Sequence, residues 1–127
     1  GEHGSTFGGN PLACAVAKSA LEVVVDENLA ENAYILGNYF RLKMNEFIEK
    51  SNLIKLIRGK GLLNAIVIND TEDSSTAWDL CINMKNNGLL AKPTHGNIIR
   101  FAPPLTITKD ELNKCIDIII KTIENFN

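Results

Sequence analysis

Two stretches of this sequence have the residue types and spacing to do chemistry. The first is Gly4-Ser5-Thr6-Phe7-Gly8-Gly9-Asn10-Pro11. It joins small residues and two hydroxyls to the start of a helix, the setting in which a phosphate meets free N–H groups and the positive end of a helix dipole. Ser5 and Thr6 would add neutral donors. It is not a P-loop, because the Gly-Lys-Ser/Thr ending is absent, and a simple Gly-rich turn is the plainer alternative. The second is Arg100, set among Ile98, Ile99, Phe101 and Ala102 and followed by Pro103-Pro104. A guanidinium in an apolar run must find an anion or escape to solvent. Strand alternation puts Ile99 and Phe101 on one face and Ile98, Arg100 and Ala102 on the other. Arg100 is then a bidentate clamp for a ligand carboxylate, a solvated edge residue, or half of a structural ion pair.

Other polar groups carry weaker signals. Lys92-Pro93-Thr94-His95-Gly96 reads as a tight connection between strands. His95 reads as a turn residue. Arg58 and Lys60 flank hairpin glycines, where solvated turn charges are the default. No Ser-His-Asp arrangement is legible, since His3 and His95 lie far from each other and from any partner set. Cys14, Cys81 and Cys115 are widely spaced and form no Cys-x-x-Cys pair. They read as buried structural thiols in a reducing compartment, the cytosol or the mitochondrial matrix. No zinc site can be built from adjacent residues.

The whole chain bounds what these groups can serve. Its 127 residues fit one domain with a real core. A net charge of −2 and a sequence pI near 5.7 leave no basic footprint for nucleic acid. Apolar residues make up 45% and charged residues 22%, which is ordinary for a globular protein and excludes disorder of the whole chain. The longest apolar run, Leu12 to Val25, contains Lys18 and Glu22 and falls short of a membrane span. The sequence opens on Gly1 without a leader-like segment, as expected for a piece of a longer chain.

The positioning elements follow from periodicity. Asn10 caps, and Pro11 begins, a helix to about Asp26, apolar nearly all round and so expected to be buried on most sides. Asn28 with Glu31 suggests a capping box opening a second helix to about Lys50. Its apolar stripe is Leu29, Ala33, Leu36, Phe40, Met44 and Phe47. Strands are expected at Leu53–Arg58 and Leu62–Ile68, turned by Gly59-Lys60-Gly61. A helix over Thr76–Asn87 carries Ala77, Cys81 and Met84 on one stripe, with Trp78 in the core, and ends at Gly88. Short strands follow at Leu89–Ala91 and Ile98–Phe101. Thr108 with Glu111 forms a second capping box, before a last helix facing inward through Leu112, Ile116, Ile119 and Ile123. The fold class is α/β in the two-layer α+β sense: a small sheet of about four strands packed with helices.

These residues resemble a known family. Gly4 through Leu12 is similar to the loop-to-helix motif of class III pyridoxal-phosphate aminotransferases, and Arg58 through Ile68 to the first hairpin of their C-terminal domain. Leu89-Leu90-Ala91-Lys92-Pro93-Thr94-His95-Gly96 and Ile98-Ile99-Arg100-Phe101-Ala102-Pro103-Pro104-Leu105 narrow the resemblance to the ornithine branch of the class. Acetylornithine and 4-aminobutyrate branches, and a non-catalytic interaction module, are the alternatives. The resemblance spans the chain and implies the C-terminal part of a fold-type I enzyme, with residues 1–27 the tail of the large cofactor-binding domain and 28–127 the small domain. It implies pyridoxal 5'-phosphate as cofactor, amino acid and 2-oxo acid substrates, and a homodimer or higher homo-oligomer. Ser5 and Thr6 would reach the cofactor phosphate of the neighbouring subunit. Arg100 would bind a substrate carboxylate, exchanging it for a nearby Glu between half-reactions. The family's Schiff-base lysine, the Asp on the cofactor's pyridine nitrogen and the stacking aromatic belong upstream. Lys60 and Lys92 do not match that lysine, so this piece alone is expected to be inactive.

Overall fold

The computed structural model describes residues 4–126; His3 lies outside them. Four helices and four strands run in the order α1 (Pro11–Asp26), α2 (Leu29–Ile48), β1 (Ile54–Lys60), β2 (Leu63–Ile68), α3 (Thr76–Asn86), β3 (Lys92–Thr94), β4 (Ile98–Phe101) and α4 (Lys109–Glu124). The sheet order is β1-β2-β4-β3, with every neighbouring pair antiparallel. Helices α2 and α3 pack on the sheet and α4 packs on both of them. This is the expected two-layer α+β class.

The core is built from the expected stripes. Ala33, Leu36, Phe40, Met44 and Phe47 of α2 meet Ile66, Ile68, Ile99 and Phe101 of the sheet, with Leu112, Ile116, Ile119 and Ile123 of α4 closing the cluster. Leu29 is buried at the start of α2. Ala77, Cys81 and Met84 line the inner face of α3. Met44, Ile66 and Ile99 are wholly inaccessible, and a buried side chain of that size contributes roughly 1.5–3 kcal/mol.

The caps explain most boundaries. Asn10 accepts from the amides of Leu12 and Ala13 at 3.0 and 3.2 Å, with Pro11 opening α1. Thr108 and Glu111 complete the capping box of α4. Gly88 ends α3 at φ 92°; its amide donates to Lys85 O, and that of Leu89 to Met84 O. This paired closure uses a left-handed residue that glycine supplies without strain.

Several expectations are corrected. Asn28 makes no side-chain cap; it adopts φ 52°, a left-handed link between α1 and α2 that asparagine tolerates. Leu89–Ala91 is not a strand. Leu89 is consumed in closing α3, Leu90 is exposed, and the ladder starts at Lys92, paired with Arg100. Pro93 fits there because β3 is an edge strand. Gly59 and Lys60 belong to β1, with Lys60 opposite Leu63 across a tight turn. Trp78 is 59% exposed, since Ala77 and Leu80 take the inward positions. Helix α1 buries none of its residues among those described; it packs along α2, contrary to the burial expected of its apolar faces. Cys14 is therefore exposed, while Cys81 is buried and Cys115 half-buried.

Candidate functional site

The sheet has one covered face and one open face, and the site residues divide accordingly. Ile99 and Phe101 are locked into the core, Phe101 against Phe40 with ring centroids 5.9 Å apart. Alternation then forces Arg100 onto the open face, as expected, and it is exposed there. It lies opposite Ala65 on β2 and Lys92 on β3. No carboxylate pairs with it: the ion pairs among the described residues are Lys18–Glu22 and Lys43–Glu46. Among the described residues, Arg100 therefore forms no structural ion pair.

Arg100 lines an open cleft of about 420 Å³ with Arg58, Lys60, Ala65, His95 and Ile98 among its neighbours. His95 enters it from the β3–β4 turn at φ 50°. Arg58 and Lys60 lie far from His95 in the sequence, each beside a turn glycine. What brings them together is the register, in which Arg58 pairs with Ala65 and Ala65 with Arg100. Strand pattern alone did not reveal that register.

The hairpin carrying Arg58 is held by a network the sequence did not announce. Arg41 of α2 donates to Gly61 O at 3.0 Å, to Asn64 Oδ1 at 2.6 Å and to Asn38 Oδ1 at 2.6 Å. Asn64, almost fully buried, returns its amide to Gly61 O at 3.2 Å. Gly37 makes the approach possible: a Cβ there would collide with the Gly61 backbone. Beyond β4, Asn32 of α2 donates to Leu105 O and Ile107 O at 2.7 and 3.1 Å, fixing the chain that leaves the site.

Ser5 and Thr6 stand in the exposed turn before α1, and the Arg100 cleft includes neither. The turn is tight, with Asn10 N donating to Phe7 O at 3.1 Å. The first free amides of α1, from Leu12 and Ala13, are taken by the Asn10 side chain, and Pro11 has none. An anion here would be met by the Ser5 and Thr6 hydroxyls rather than by those amides. Neither hydroxyl makes a hydrogen bond among the described residues, so both are open to an external acceptor.

Two cysteines shift by burial. Cys81 is pushed up to about 11, and Cys115 is raised by burial and then by the charge of Glu111. Both shifts disfavour the nucleophilic thiolate.

The family model of class-III aminotransferases matches residues 1–123. Ornithine aminotransferase, mitochondrial, of Drosophila melanogaster is 56% identical over 97% of this chain. The chain spans 27% of that relative's length. A crystal structure of an acetylornithine aminotransferase from Elizabethkingia anophelis superposes with a TM-score of 0.94 at 67% identity, covering 99% of this chain and 31% of that one. The Plasmodium falciparum ornithine delta-aminotransferase gives 0.87 at 45% identity, over 98% of this chain and 32% of that one.

Proposed function

The chain belongs to the class-III aminotransferases, and on that premise we propose that it is the C-terminal part of an ornithine aminotransferase. The intact enzyme moves the δ-amino group of ornithine to 2-oxoglutarate, giving glutamate 5-semialdehyde and glutamate in two half-reactions. The observation that carries the proposal is Arg100: exposed on the open face and unpaired by any carboxylate among the described residues. Both substrates present a carboxylate, and a planar guanidinium receives it through two parallel N–H···O bonds. Arg100 thereby orients a substrate carboxylate, on a strand whose alternate residues are locked in the core.

Residues 1–27 are proposed as the tail of the large domain and 28–127 as the small domain. In support, no residue of α1 is buried among the described residues, whereas α2 onward builds the core. Pyridoxal 5'-phosphate fits the Ser5–Thr6 turn, whose hydroxyls are exposed and hydrogen-bond to nothing described. They would hold its phosphate across a homodimer interface. When bound, the cofactor supplies the electron sink that amino transfer requires. The lysine that holds it belongs to the preceding large domain, so the 127 residues alone are inactive.

A second reading rests on the 67% identity to a structure described as an acetylornithine aminotransferase. The two are separated by donor kinetics of the intact protein. The ornithine reading requires kcat/KM for ornithine to exceed those for N-acetylornithine and 4-aminobutyrate. A preference for N-acetylornithine transfers the assignment to that branch, and no transfer from any donor refutes both.

A further inference from the structure

Arg41 is a half-buried cation on α2, on the covered side of the sheet, and no acid among the described residues pairs with it. Its guanidinium donates to three neutral oxygens: Nη1 to Gly61 O at 3.0 Å and Asn64 Oδ1 at 2.6 Å, Nη2 to Asn38 Oδ1 at 2.6 Å. Three acceptors reached from two nitrogens call for a planar fork, which lysine lacks. Asn64 is only 3% exposed, and a buried amide costs stability unless it is hydrogen-bonded. Its Nδ2 donates to the same Gly61 O at 3.2 Å, so the side chain is committed to this arrangement. Asn64 also closes the β2–β4 ladder. It stands opposite Phe101 in the last pair, and Ala65 stands opposite Arg100 in the pair before it. Beyond Phe101, Pro103 and Pro104 have no N–H to extend the pairing. On its other side Arg100 belongs to the end pair, with Lys92 of the three-residue edge strand β3. Chain segments at such ends open most easily. A cavity of about 290 Å³ borders this one, with Phe40, Asn64, Phe101 and Pro103 in its wall, and side chains facing a void lose packing contacts on that side. Arg41 ties this loosely packed end of the ladder to α2.

We propose that Arg41 is a positioning residue for amino transfer. It acts from the covered face, through Asn64 and the terminal Asn64–Phe101 pair, on the backbone that carries Arg100. This rests on the reading of Arg100 as the receiver of a substrate carboxylate. Two parallel N–H···O bonds form in one relative orientation of guanidinium and carboxylate, and a small misplacement of a binding group costs large factors in rate. By fixing the end of the ladder, Arg41 fixes where Arg100 leaves the sheet.

The test uses the intact enzyme with Arg41→Met, which keeps an apolar stem and removes the donors, and Arg41→Lys, which keeps the charge and loses the fork. Each is made alone and together with Arg100→Lys. Hydrogen exchange and steady-state kinetics are measured on variants whose circular dichroism matches that of the parent; if Arg41→Met does not fold, Arg41→Lys carries the test. Exchange at the Arg100 and Phe101 amides should quicken roughly tenfold. KM should rise by roughly tenfold, at nearly constant kcat, for the substrate that Arg100→Lys affects. In the Arg100→Lys background the same change should alter that KM less than about twofold, because residues that act through one another are not additive. Unchanged exchange in β4, or the same factor in both backgrounds, overturns the proposal. Unaltered KM values in Arg100→Lys refute the carboxylate role of Arg100 and this proposal with it. Faster exchange in a protein that transfers no amino group from any donor upholds the anchoring and refutes the aminotransferase reading.

Discussion

Gly37→Ala tests whether the α2–hairpin contact positions the site. A Cβ at Gly37 would fall against the carbonyl oxygen and carbon of Gly61, backbone atoms rather than the end of a flexible side chain. That carbonyl cannot retreat freely, because Arg41 and Asn64 both donate to it, at 3.0 and 3.2 Å. Relieving the clash means moving the turn and stretching those bonds. Overpacking of this kind costs about 1–3 kcal/mol, and loss of the Arg41 contact adds about 1 kcal/mol or more. Against this, alanine gains about 1 kcal/mol of helix propensity over glycine. The net expectation is a loss of about 1–3 kcal/mol, concentrated in the β1–β2 hairpin. Hydrogen exchange of the intact protein reads it directly: amides of Arg58 to Ile66 should exchange about tenfold faster, the equivalent of about 1.4 kcal/mol of local opening. Slower exchange across α2 and the hairpin would mean that propensity wins and the close approach is not a constraint.

Two further outcomes follow from the polar groups. Backbone and side-chain hydrogen bonds from Thr108 hold the Glu111 carboxyl below its ordinary value of 4.5. The unfolded chain therefore takes up this proton first, and the stability from Glu111 is present above about pH 4.5 and lost as pH falls through the depressed value. Glu111→Gln should flatten the acid limb of a stability-against-pH curve, and an unchanged slope would contradict the capping-box account. Cys81, with its thiol near 11, should resist alkylation at pH 8 in the native protein and react on unfolding. Modification at the rate of a free thiol would contradict its burial.

Periodicity revealed what depends on side-chain pattern. The stripe Leu36–Phe40–Met44–Phe47 and that of α4 are both core, and alternation in Ile98–Phe101 turned Arg100 outward. Properties set by pairing or by missing neighbours were not legible. Leu89–Ala91 has strand composition, but helix closure claims Leu89 and the ladder begins at Lys92. The apolar character of α1 pointed to burial on most sides, yet none of its residues is buried among the described residues, where it packs along α2. The grouping of Arg58 with Arg100 depends on three strands in register, which no local signal encodes.

The central claim is that Arg100 receives the substrate carboxylate, and Arg100→Lys in the intact enzyme tests it most directly. Lysine keeps the charge but loses the planar two-pronged geometry, and Arg100 is exposed with no described ion pair to lose. The account predicts a marked rise in KM for at least one of ornithine and 2-oxoglutarate, with thermal stability unchanged. Unaltered KM for both substrates would contradict it.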